Sequence, residues 1–146
     1  MGARSARANI AFGAVIAAVL VVVGCVSTWA TVRGVSFSGT DANAGKTTLI
    51  TAAIAALLLV IAARTGLHWL SIVAAVPAGI AAAISTYRLA DIAHFVQGAP
   101  GADASWGIWL TVFSSIVLFI LCLAYAIVRD ATASETPAET EDTTAS

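Results

Sequence analysis

Four apolar stretches, residues 10–26, 47–63, 69–86 and 107–128, divide the chain, and none contains Asp, Glu, Lys, Arg or His. Crossing the hydrocarbon core of a bilayer takes about 20 residues, with a range of roughly 17–25. Each stretch reaches that length once its flanks are counted. Within lipid a backbone must satisfy its own polar groups, which selects helices over irregular chain. The pattern therefore predicts an all-α fold, an integral membrane four-helix bundle. Pro77 lies near the middle of the third stretch with Gly79 just after it. A proline there removes one backbone donor, so a kink is expected.

The polar residues collect at the ends of these stretches. Arg4 and Arg7 precede the first, Arg64 follows the second and Arg129 follows the fourth. Trp69, Trp106 and Trp109 stand at the starts of helices and Tyr125 near an end, where amphipathic rings favour the membrane interface. Arg4, Arg7, Arg64 and Arg129 fall on one side, against Arg33, Lys46 and Arg88 on the other. The excess predicts a multi-pass cell-membrane protein with both termini cytoplasmic. Residues 1–9 are then a cytoplasmic N-terminus, 10–128 the transmembrane domain, and 27–46 and 87–106 two loops facing outward together.

Residues 130–146 hold Asp130, Glu135, Glu139, Glu141 and Asp142, one proline (Pro137), and no apolar side chain larger than Ala. Nothing there builds a core, so 129–146 reads as a disordered acidic tail. Composition agrees with a lipid environment: 60% of the 146 residues are hydrophobic and 10% charged, against about 25% charged in ordinary soluble domains. A net charge of −1 supplies no basic field for nucleic acid.

Candidate chemistry is sparse. Gly39 to Thr47 suggests a phosphate-binding loop, but five residues separate Gly39 from Gly45 where that motif needs four, and the following helix enters lipid. No nucleotide partner is expected. Asp41, Asn43 and Gly45 read as turn formers, and Thr47 or Thr48 as the cap of the second helix. Val22-Val23-Gly24-Cys25 after two arginines imitates a lipoprotein signal, which makes Cys25 a lipidation candidate. As a small apolar residue near the outer end of a span it needs no such role. Cys25 and Cys122 lie about 24 Å apart along the bilayer normal at 1.5 Å per residue, too far for a bridge.

Arg88, Asp91 and His94 form a speculative polar cluster just after the third stretch. If the helix continues, residues three apart share one face, and Leu89, Ile92, Phe95 and Val96 form an apolar side suited to the bilayer surface. A proton-handling triad and a plain Arg–Asp pair with a bystander His are the two readings. His68 reads as an ordinary interfacial residue. A metal site would need further ligands, and only Asp103 is near. The polar groups within the spans are hydroxyls: Thr51, Ser71, Ser85, Thr111, Ser114 and Ser115. None has an intramembrane base to make it a nucleophile. Gly13 with Ala17, Ala75 with Gly79 and Gly79 with Ala83 place small residues four apart, as close helix packing favours. No catalytic residue, cofactor or metal is expected.

The order of parts resembles small four-helix membrane proteins of actinobacteria, including the tryptophan-associated transmembrane protein family. Trp29 after the first span, glycines 34, 39 and 45 in the outer loop, Arg64 in a short hairpin and Trp106 and Trp109 opening the fourth span carry the likeness, which covers most of residues 10–128. It implies a membrane protein of unknown role and supplies no catalytic residues. The leading expectation is a non-enzymatic accessory or scaffold subunit whose partners are the lipid bilayer and a homo-oligomer or larger membrane complex. The alternative is a small-molecule transporter or channel component, a function usually marked by intramembrane ionisable residues.

Overall fold

The computed structural model describes residues 3–67 and 69–134. Four α-helices carry almost all of it: α1 (Ala3–Val26), α2 (Asn43–Thr65), α3 (Trp69–Gly98) and α4 (Trp106–Ser134). All four are long and apolar enough to cross a membrane. They run up, down, up and down, so that α1 packs on α2 and α4, and α3 packs on α2 and α4.

Small residues make the centre. Ala14, Ala17, Ala52, Ala55, Ala74, Ala78 and Ala81 are buried, and Val21, Leu59, Ile108 and Leu118 fill the space between them. The bulky side chains point the other way. Phe12, Leu57, Val76, Phe113 and Ile120 stand on the outer surface. A water-soluble bundle sorts its residues in the opposite sense. The small-residue pairs serve this internal packing: Gly13 meets Leu121 and Gly79 meets Phe119, while Ala17 and Ala75 are buried. Ala83, by contrast, is exposed. Helix α3 continues through Pro77.

The loops joining α1 to α2 and α3 to α4 are not irregular. They form one three-stranded antiparallel sheet in the order β2-β1-β3, from β1 (Thr28–Val32), β2 (Val35–Ser38) and β3 (Ala102–Ala104). Arg33 and Gly34 make the two-residue turn between β1 and β2, with φ of 49° and 80°, the left-handed pair of a type I′ turn. Cross-strand partners share a face. Ala30, Val32, Val35, Phe37, Ala102 and Ala104 therefore form one apolar face, and Thr31, Ser36 and Asp103 a polar one. At the opposite end α2 stops at Gly66, whose φ of 78° and N–H bond to the Ala62 carbonyl (3.0 Å) close the helix.

Several sequence expectations change. Helix α1 begins at Ala3 rather than at residue 10, and α3 runs twelve residues past residue 86 to Gly98. The hydrophobic pattern marks only the greasy part of each helix, whereas helical hydrogen bonding continues into polar flanks. Helix α4 takes in residues 129–134 of the expected tail; residues 135–146, with the remaining acids and Pro137, lie outside the described residues, as does His68. Tyr125 is buried in the core rather than standing at an interface. Thr47 and Thr48 do not cap α2. The cap position is Ala42, and both hydroxyls donate to carbonyls one turn back, at Asn43 and Ala44 (2.9 Å each).

Candidate functional site

The sheet end carries Trp29, Asp41 and a set of hydroxyl side chains, and close glycine contacts hold it to the bundle. Trp29 is buried, and its indole Nε1–H donates to the Gly24 carbonyl at 3.0 Å. Gly39 lies flat against that ring; a Cβ there would overlap it and come within 2.6 Å of the Cys25 carbonyl oxygen. Gly45, in the first turn of α2, in turn sits directly on the Gly39 backbone. On the other side Gly24 of α1 faces Gly107 and Thr111 of α4, where a Cβ would stand 2.8 Å from the Thr111 nitrogen. Backbones approach this closely only where no side chain intervenes.

This packing explains the glycines that imitate a phosphate loop. Gly39 and Gly45 are buried against Trp29 and each other. Asp41 between them closes a local turn: its carboxylate accepts from the Ser38 N–H (2.8 Å) and the Ser38 hydroxyl (2.9 Å). These two bonds, with Lys46 adding a smaller attraction, hold its carboxyl below the usual range. Gly24 likewise has a packing role independent of any lipoprotein signal, and Cys25 is fully buried inside α1. Cys122 is also buried, and both thiols are free.

The three residues of the speculative cluster lie on the part of α3 beyond the expected span. Arg88 Nη1 pairs with Asp91 Oδ2 at 3.2 Å, and both side chains are largely solvated. His94 is exposed one turn further on. Leu89 and Ile92 turn inward and pack against the bundle core, while Phe95 stays exposed. Asp103 is carried on β3, exposed on the polar face. Among the described residues no three His, Cys, Asp or Glu side chains gather as a metal site would require.

Inside the bundle the buried polar groups are Thr48, Ser71, Ser85, Thr111, Ser114 and Ser115. Thr111 donates to the Gly107 carbonyl at 2.8 Å, Ser85 to Ala82 at 3.1 Å, and Ser115 to Thr111 one turn back. Such back-bonding ties these hydroxyls to their own helix, and that of Thr111 also meets the Cys25 thiol of α1. Among the described residues no buried side-chain nitrogen or oxygen lacks a partner. The sheet was missed by sequence reasoning. Its best signal was the alternation of Val35, Ser36, Phe37 and Ser38 after Arg33-Gly34, a weak one because the turn lacks the usual Asn or Asp. Compared with known proteins, the chain matches no family model, no curated protein and no solved structure.

Proposed function

We propose that the chain is a multi-pass cell-membrane protein acting as a non-enzymatic accessory or scaffold subunit, in a homo-oligomer or a larger membrane complex. One observation carries this reading: bulky apolar side chains cover the outside of the four helices while alanines fill the centre. In water that surface would be an aggregation hazard. In lipid it is the ordinary solvent-facing surface, and small residues inside let the helices approach.

The basic residues orient the molecule. Arg4, Arg7, Arg64 and Arg129 are assigned to the cytoplasmic side with both termini, and Arg33, Lys46 and Arg88 to the outside with the sheet. Helix α3, with 30 residues, is about 45 Å long at 1.5 Å per residue. The hydrocarbon core is about 30 Å thick, so the end bearing Arg88, Asp91 and His94 rises beside the sheet as an external head. The likeness in layout to small actinobacterial four-helix membrane proteins agrees with this arrangement.

The buried side chains favour scaffold over transporter. Among the described residues none of them is Asp, Glu, Lys, Arg or His, the groups that ion and proton pathways use. Purification in mild detergent tests the reading. A homo-oligomer or a stoichiometric partner is the expected result; a lone monomer that conducts or transports in liposomes would overturn it.

A further inference from the structure

We propose that the free edge of β2 pairs antiparallel with β2 of a second copy, joining two sheets outside the membrane into one. The proposal rests on the scaffold reading and gives its homo-oligomer an interface.

The two edges of the sheet differ. Strand β3 is in contact with α3, whereas on the far side of β2 no further strand follows among the described residues. Val35 and Phe37 on β2 are 58% and 48% exposed. An open strand with apolar side chains is a template for pairing, and proteins usually blunt such edges with Lys, Pro or a bulge. Between Val35 and Ser38 this strand has no Lys or Pro. Its irregularity lies at the Thr28 end of the pairing with β1.

Backbone geometry leaves groups to share. Val32 and Val35 flank the two-residue turn and so form a hydrogen-bonded pair. Alternation then turns the Ser36 N–H and C=O away from β1. The Ser38 N–H also points away from β1 and is held by Asp41.

Charge selects the occupant, and the outward-facing backbone groups select the register. Arg33 stands at one end of the strand and Asp41 just past the other. Antiparallel pairing of two copies brings each Arg33 toward the partner's Asp41, which the helical turn Gly39–Asp41 folds back over Ser38. The register that uses every outward-facing group of Ser36 and Ser38 places Phe37 opposite the partner's Phe37. Ser36 and Ser38 then become the hydrogen-bonded partners. The carboxylate of Asp41 passes from the Ser38 amide to the incoming guanidinium, and the freed amide finds a carbonyl on the facing strand. A type I′ turn favours Asn, Asp or Gly where Arg33 sits, so an arginine in left-handed conformation is costly unless its charge is used.

The register predicts a cross-link. Directly opposed residues of a non-hydrogen-bonded antiparallel pair have Cα atoms about 4.5 Å apart, within the limit of about 7 Å for a disulfide. Phe37→Cys and, as a control at the same end, Asn43→Cys are made in the full chain and oxidised in native membranes with copper phenanthroline. The unaltered chain, whose two cysteines are buried, is the blank. Phe37→Cys is expected to form covalent dimers well above both. Adding Arg33→Asp, which suits the turn but reverses the charge, is expected to abolish most of that cross-link. Phe37→Cys dimers no stronger than the control, or unaffected by Arg33→Asp, overturn the proposal. A monomeric chain that co-purifies with a different protein overturns it too while leaving the scaffold reading standing. Cross-linking by Phe37→Cys in a chain recovered from the soluble fraction supports the interface and defeats the membrane reading.

Discussion

The bundle and the sheet that caps it are held by different physics. In the bundle the outer surface is mainly apolar, the centre is mostly alanine, and buried hydroxyls such as those of Thr48 and Thr111 bond back to their own helices. Many interchangeable contacts share the load there, and single losses are absorbed. In the cap a few contacts lack substitutes: Trp29 against Gly39, Gly39 against Gly45, and Gly24 against Thr111 and Gly107. The cap knits the loops of both helical hairpins together, so its strength decides whether α1 and α4 keep their register. Hydropathy suffices to specify the first region, whereas the second depends on where particular atoms are missing.

The largest test of that contrast is Gly45→Ala. The new methyl meets the Gly39 backbone, which has Trp29 behind it and nowhere to move, and overpacking of this kind costs about 3 kcal/mol. Unfolding in detergent is expected to shift strongly, whereas Gly13→Ala within the bundle, whose methyl meets Leu121 at an ordinary contact distance of 3.5 Å, is expected to change stability by less than about 1 kcal/mol. Equal effects would erase the distinction between cap and bundle. Trp29→Phe comes next. It removes the bond to the Gly24 carbonyl and part of a buried ring, a loss of about 2 kcal/mol by the same unfolding measurement.

Asp41 gives a smaller, pH-dependent effect. Its carboxyl is depressed by the two Ser38 bonds, so its contribution is complete above the ordinary carboxyl range. It is lost as pH falls toward the folded-state value. Asp41→Asn is expected to flatten that acid limb of a stability–pH curve, and an unchanged limb would remove Asp41 from the cap. The smallest effect belongs to Arg88→Ala. Its pair with Asp91 is solvated, and the loss should stay under about 1 kcal/mol.

The same contrast decides what was legible in the sequence. Long uncharged runs require helices, and each run lies within one of the four, although α1 and α3 extend well beyond theirs. The Arg88–Asp91 pair was readable because three-residue spacing on a helix brings side chains together. The buried position of Tyr125 was missed although Thr111, Ser115, Leu118, Cys122 and Tyr125 share one stripe of α4 at three- and four-residue spacing, because its place near the helix end suggested an interfacial ring. The sheet was not legible: its strands have 5, 4 and 3 residues, too short for a period to emerge, and β3 joins from a distant loop. Gly39 and Gly45 looked like parts of a ligand loop because a glycine needed for packing and one needed for phosphate are identical as letters. Thr48 looked like a cap for a similar reason, and a hydroxyl bonding back one turn carries no separate signature.

The claim beneath all of this is that the sheet and the Gly66 turn lie on opposite sides of a bilayer. Ser36→Cys at the first and Thr65→Cys at the second, treated in intact cells with a membrane-impermeant maleimide, read it directly. The account predicts that Ser36→Cys is labelled at once and Thr65→Cys only after permeabilisation. Labelling of both from the same side would contradict it.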